Sequence, residues 1–344
     1  MGLYLPAGWV DIRAIFKHGL PFNFLIGGRG IGKTYSLLDY FLEMGTRFVY
    51  MRRTEKELRA CSTDKLNPLK AINRDRGTNY RFYKESDVYS ICDSEATDGS
   101  KWKATGDAIG IAVALSTFAN IRGFDGTDFD VLFYDEFIPE RRARPIRDEF
   151  DALMNAYETI NRNREIQGKP PLILICASNS NKLDNPIFLG LGLVSKIFNM
   201  YVKEQELAVF QNRGLLVANY MRSPISERKR ETALYKLTTG TEFAAMALAN
   251  SFTGTADLSA ARSMPLREYT PLVCYGELCL YAHKSNGSLY ATTHRSGNPP
   301  TYGTGETEKK KFKIAYSWIW YEFMAGSVIF ESVVCELLLT NAFK

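Results

Sequence analysis

Residues 23–34 read Asn-Phe-Leu-Ile-Gly-Gly-Arg-Gly-Ile-Gly-Lys-Thr, and few stretches of this length restrict a fold so tightly. The apolar run over 22–26 predicts a short buried strand. Leu37, Leu38, Phe41 and Leu42 recur at helical spacing over 33–44, where Gly45 supplies a stop. Between strand and helix, Gly27, Gly32, Lys33 and Thr34 match the pattern G-x-x-x-x-G-K-[ST]. Glycine at 27, 28, 30 and 32 lets the backbone turn successive N–H groups inward, and the helix adds its positive end. The loop residues Gly27, Gly28, Arg29, Gly30, Ile31 and Gly32, with Tyr35 just beyond, therefore surround a phosphate cradle suited to ATP. Lys33 would reach the β- and γ-phosphates, and the Thr34 hydroxyl would ligate Mg²⁺. A glycine-rich turn with a chance lysine would need neither the strand before it nor the helix after it.

A second stretch, residues 130–136, reads Asp-Val-Leu-Phe-Tyr-Asp-Glu. Four apolar residues make a central strand that delivers two adjacent carboxylates to its carboxyl end. Asp135 would hold Mg²⁺ and Glu136 would polarise the water that attacks the γ-phosphate. An acidic pair ending a strand is otherwise a turn or a helix cap, so the pairing with the glycine loop is what carries the catalytic reading. Glutamate after aspartate also points to hydrolysis rather than transfer to a small molecule, which does not want water activated. Residues 172–177 form another apolar strand that brings Asn179 to the same edge, as a γ-phosphate sensor or as a turn residue.

Taken in order, the first half reads β-loop-α-β, a parallel α/β unit, with a second strand over 47–51 and Arg52 and Arg53 at its carboxyl end. Residues 80–93 read as a hairpin, 93–106 as a polar loop and 109–115 as a buried strand. Residues 139–145 place Arg141, Arg142 and Arg144 on a loop just past the acidic pair. Such a loop could hold DNA phosphates or simply be solvated. A helix over 148–160 follows, ending near Arg162 and Arg164. Strand-like pieces at 196–202 and 215–218 and an exposed helix over 226–231 suggest a linker region, with its basic triplet a solvated face. The division expected is 1–205, 206–253 and 254–344. In the last part, antiparallel strands near 272–275, 277–282 and 289–293 precede a closing helix, and Asp257, Glu268 and Glu277 do not make a two-metal nuclease set.

Composition narrows the class further. With 344 residues, 45% apolar and 24% charged, the chain can bury a large core, and a net charge of +5 permits an anionic partner without requiring one. Six cysteines without C-x-x-C spacing read as reduced thiols, and three histidines form no ligand cluster with them. The apolar stretch 318–339 contains Glu322, Glu331 and Glu336, so it reads as a buried helix and not as a membrane span.

Gly-Gly-Arg-Gly-Ile-Gly-Lys-Thr, Phe-Val-Tyr-Met-Arg-Arg, Phe-Tyr-Asp-Glu-Phe-Ile, Asn-Arg-Asn-Arg-Glu over 161–165, Ala-Ser-Asn over 177–179 and Asn-Pro-Ile-Phe over 185–188 occur here in one order. In that order the chain resembles the genome-packaging ATPases of small protein-primed podophages (Picovirinae) over residues 22–190. The resemblance implies an N-terminal P-loop NTPase domain of the ASCE type, a linker, and a smaller α+β C-terminal domain resembling an inactive RNase H-like fold. It also implies an ATP-hydrolysing translocase of double-stranded DNA, without nuclease activity. Its partners would be copies of itself in a homo-oligomeric ring of five, the portal of a procapsid and a packaging RNA. The site would be the host cytoplasm, with transient docking on the procapsid and absence from the mature virion. The family's trans-acting arginine falls on Arg162, with Arg164 as the fallback. The family's basic residue shortly after the Arg-Arg pair has no counterpart, because Glu55 stands there with Lys56 one step on. Two other readings share these motifs: a P-loop ATPase for export or strand separation, and a ring component that binds nucleotide only to assemble.

Overall fold

Unbroken apolar strands such as Val131–Asp135, buried at every position, can be satisfied only by a sheet covered on both faces. The computed structural model describes residues 2–97, 101–121, 124–139, 143–179, 182–241, 244 and 262–344, and it supplies that sheet. The chain divides into two units: Met1–Ile146 with Ala152–Asn181 and Gln205–Asn250, and Arg147–Asp151 with Lys182–Glu204 and Ser251–Lys344.

In the first unit the strands are β1 (Phe22–Gly27), β2 (Phe48–Arg52), β3 (Arg81–Glu85), β4 (Val88–Thr97), β5 (Lys101–Ala114), β6 (Val131–Asp135), β7 (Ile173–Ser178), β8 (Leu207–Phe210) and β9 (Leu215–Tyr220). They form one sheet in the order β3-β4-β5-β2-β6-β7-β1-β9-β8. The six strands from β5 to β9 in that row run parallel, and antiparallel β3, β4 and β8 close the two edges. β7 stands between the glycine-loop strand β1 and the acidic strand β6, which is the ASCE arrangement of a P-loop NTPase. Helix α1 (Ile12–Phe16) packs beside α2 (Lys33–Met44), whose Leu37, Leu38 and Phe41 are buried in the core against Phe48 and Phe133.

Three expectations are corrected here. Residues 93–97 and 101–106, expected in a loop, instead continue β4 and β5 as a long hairpin arm, with Thr97 opposite Lys101. Within the expected linker 206–253, Leu207–Phe210 and Leu215–Tyr220 are instead β8 and β9 of the nine-stranded sheet. Residues 196–202 form a helix (Val194–Val202) whose Val194, Ile197, Phe198 and Met200 are buried, and a short apolar run of this kind does not separate helix from strand.

The second unit holds a five-stranded sheet in the order β13-β10-β11-β12-β14, built from β10 (Tyr269–Tyr275), β11 (Leu278–His283), β12 (Leu289–Thr292), β13 (Thr301–Tyr302) and β14 (Val328–Phe330). The first three in sequence are antiparallel, and helices Glu306–Ala315, Ser317–Met324 and Val333–Phe343 follow. The single closing helix expected over 318–339 is therefore interrupted by β14, and Tyr321 and Met324 face solvent. Cys274 and Cys279 sit opposite each other across the β10–β11 hairpin and are joined as a disulfide, so these two are not the reduced thiols expected. Among the described residues no helix is long and apolar enough to cross a membrane, and no group of three or more His, Cys, Asp or Glu could hold a metal ion.

Candidate active site

Parallel register brings the ends of four strands to one edge. Ile26 pairs with Ser178, Asp135 with Ala177 and Met51 with Tyr134, so the next residues, Gly27, Asn179, Glu136 and Arg52, emerge together. The glycine loop closes over this edge. Gly30 and Gly32 have φ of +65° and +94°, conformations that favour glycine, and a Cβ on Gly27 would lie 2.8 Å from Ile31 Cδ1. Ile31 itself points into the core, so only its backbone faces the loop interior. No described side chain caps the start of α2, which leaves its first N–H groups for an anion.

Lys33 is buried and donates to the carbonyls of Gly27 (3.1 Å) and Gly28 (3.0 Å) and to Asn179 Oδ1 (2.8 Å). Burial pulls its pKa down to about 8 against the opposing pull of Glu136 and Asp135. Asn179 completes a relay, because its amide nitrogen donates to Glu136 Oε1. Glu136 sits at φ +57°, a left-handed conformation that a non-glycine residue holds only where its surroundings enforce it. Burial and the neighbouring Asp135 charge raise its pKa, partly offset by Arg52 and Lys33.

The two candidate Mg²⁺ ligands are already in contact. Thr34 Oγ1 donates to Asp135 Oδ1 at 3.0 Å, while Tyr50 OH (2.8 Å) and Arg52 Nη1 (3.1 Å) hold Asp135 Oδ2. A hydroxyl and a carboxylate oxygen in contact beside a phosphate loop are the hard-oxygen set that Mg²⁺ takes with substrate phosphates. Tyr50 carries no sequence signal beyond being an apolar-run residue in β2, and Arg52 is a partner of the acidic strand and not a surface ion pair.

The two candidate arginines separate. Arg164 is buried and satisfied within its own chain by Pro170 O (3.1 Å), Phe129 O and Asp130 Oδ1 (3.0 Å), so it is corrected from a trans-acting group to a structural one. Arg162 is exposed, with φ +45°, and donates to the Phe124 carbonyl. Among the basic-loop residues, Arg141 and Arg142 lie outside the described residues. Arg144 is exposed, and its carbonyl accepts from Arg53 at 3.5 Å. Asp257 also lies outside the described residues. Beside the loop, a cavity of about 500 Å³ is lined by Trp9, Gly32, Tyr35, Tyr40, Arg74 and Asp75, with Tyr35 OH donating to Asp75 at 3.0 Å.

A family model described as Podovirus DNA encapsidation protein (Gp16) matches residues 12–295. The chain belongs to the Gp16 DNA encapsidation family. The DNA packaging protein of Bacillus phage B103 is 32% identical to this Gp16-family chain over 244 residues, 69% of this chain and 65% of the phage protein. That of Bacillus phage phi29 is 30% identical over 241 residues, 67% and 62% of the respective lengths. The chain thus spans somewhat under two thirds of the length of these relatives. A solved structure of the bacteriophage Phi-29 viral genome packaging motor assembly matches with a TM-score of 0.62 over 100% of both chains at 22% identity, which shows a shared fold.

Proposed function

We propose that this Gp16-family chain is an ATPase that drives double-stranded viral DNA into a procapsid, working as one subunit of a homo-oligomeric ring. One observation carries the reading: the Lys33–Asn179–Glu136 relay lies beside the Thr34–Asp135 pair at a single sheet edge. Lys33 and the loop N–H groups bind and orient the β- and γ-phosphates, and the Trp9–Tyr35 cavity takes the nucleoside. Thr34 and Asp135 would hold Mg²⁺, which when bound neutralises charge on the phosphates. Glu136 accepts the proton of the attacking water as its oxygen bonds to phosphorus and the bond to the ADP oxygen breaks. Burial and the Asp135 charge raise the pKa of Glu136, which makes it a stronger base than a free carboxylate. Asn179 holds Glu136 in place and links it to Lys33, so the base and the phosphate grip respond to the same nucleotide.

Exposed Arg162 is the group available to a neighbouring subunit's γ-phosphate, which ties turnover to ring assembly. Arg141, Arg142 and Arg144 follow the acidic pair directly in sequence, so phosphate chemistry can shift a basic loop against DNA. The further partners of this reading are the portal and a packaging RNA, in the host cytoplasm, without nuclease activity. Steady-state ATPase at the concentration where rings form, with and without double-stranded DNA and procapsids, tests it. DNA-stimulated hydrolysis with DNA protected inside procapsids is the expected result. ATP binding without hydrolysis under every condition would leave only an assembly role.

A further inference from the structure

Helix Pro224–Arg230 follows directly from β9, the strand that pairs in parallel with β1 and reaches the phosphate loop, with Gly27 opposite Tyr220. Its start is anchored: the Ser223 hydroxyl accepts from Ile225 N and donates to the Gly8 carbonyl (3.2 Å), and Pro224 opens the first turn. Of its basic triplet, Arg228 donates to the Ala7 carbonyl and Arg230 pairs with Glu227 at 3.4 Å. Lys229 does something different. Its Nζ donates to the carbonyl of Arg29, inside the phosphate loop, and a Cβ added at Gly30 would lie 2.7 Å from that nitrogen. A side chain at residue 30 would crowd the lysine where it rests.

Two ammonium groups therefore converge on one loop. Lys33 Nζ donates to the carbonyls of Gly27 and Gly28, and Lys229 Nζ to that of Arg29, the next residue of the same loop. Lys229 is half-buried, burial alone lowers its own pKa, and among the described residues its hydrogen-bond partner is a neutral carbonyl. Repulsion between two cations on a loop where, among the described residues, the second has no carboxylate partner is costly unless an anion arrives between them. ATP brings that anion, and a charged phosphate oxygen attracts an ammonium more strongly than a neutral carbonyl does.

We infer that Lys229 is a second cationic ligand of the nucleotide's phosphate chain, supplied in cis from the helix after β9, and that it leaves the Arg29 carbonyl when ATP enters. The inference rests on the ATP-binding reading of the loop. It makes helix Pro224–Arg230 respond to the phosphates directly, so the segment after it, with Leu234 and Leu237 exposed, is displaced as the nucleotide loads.

Equilibrium binding of ATP and ADP to the full chain decides it, using wild type, Lys33→Ala, Lys229→Gln and Lys229→Arg, with thermal melting of each nucleotide-free protein. Glutamine keeps a donor for the Arg29 carbonyl but removes the charge. The expected result is ATP affinity about 10-fold weaker in Lys229→Gln, recovered to within about threefold in Lys229→Arg, with melting unchanged in both. Wild-type ATP affinity in Lys229→Gln, alongside loss of binding in Lys33→Ala, would overturn the inference and leave the loop reading standing. Equal losses in Lys229→Gln and Lys229→Arg with lowered melting would make the residue a structural clasp and also overturn it. ATP binding that survives Lys33→Ala intact would remove both readings.

Discussion

Lys33 and Asn179, 146 positions apart in the chain, share a 2.8 Å hydrogen bond. The same asparagine donates to Glu136, so one side chain joins the residue that grips the phosphates to the residue that activates water. Replacing it by alanine removes the link while leaving the loop intact. Asn179→Ala should lower kcat about 10- to 100-fold and change the KM for ATP less than threefold in a steady-state assay. A raised KM at unchanged kcat would restrict Asn179 to binding.

Glu136→Gln keeps the volume of the side chain and an oxygen for the Asn179 amide, but cannot take a proton. Nucleotide binding should stay within about twofold of wild type, and turnover should fall by about 10²- to 10⁴-fold. Full hydrolysis by this variant would strip Glu136 of the base role.

Arg162 and Arg164 are two residues apart and should behave as opposites. Arg164→Ala leaves the Pro170 and Phe129 carbonyls without their guanidinium donor, and should cost about 3 kcal/mol in a denaturant titration. Arg162→Ala should melt like wild type and lose assembly-stimulated turnover. Activity should return in rings mixed with Lys33→Ala subunits, which supply their own arginine to the neighbour. Mixed rings that stay inactive would assign Arg162 to its own subunit's site.

The lowered pKa of Lys33 makes ATP binding pH-dependent, and the direction follows from which form binds. In the nucleotide-free site the ammonium begins to lose its proton near pH 8, whereas phosphate favours the charged form and draws the pKa back up. Below about pH 8 affinity should be flat. Above it, affinity for ATP without divalent cations should weaken by up to about tenfold per pH unit, with proton uptake on binding. Calorimetry in two buffers of different ionisation enthalpy checks both, and tighter binding at pH 9 than at pH 7 would contradict the assignment.

The phosphate loop and the acidic strand were legible because both are local. A strand, four glycines and a Lys-Thr pair, or four apolar residues and two carboxylates, state their chemistry within a dozen positions. The long β4–β5 hairpin was not. Its outer arm is polar and glycine-bearing, and its pairing across Thr97 and Lys101 depends on partners and not on periodicity. The start of the expected linker was misplaced for a related reason: Leu215–Tyr220 is a short apolar run whose place beside β1 depends on a strand nearly 200 positions away. Arg162 and Arg164 look alike in sequence, and only the burial of Arg164 against Phe129 and Pro170 tells them apart.

What the amino-acid sequence determined alone was therefore the chemistry on offer: a lysine, a threonine, two carboxylates and a set of arginines, each at the end of its own element. The tertiary structure decided which of them meet. Parallel pairing set β7 between β1 and β6 and so put Asn179 between Lys33 and Glu136, and it carried Lys229 onto the loop from a helix that follows β9. Residue identity acts over a few bonds, whereas sheet order is a property of the whole core, where burial is shared among strands far apart in the chain.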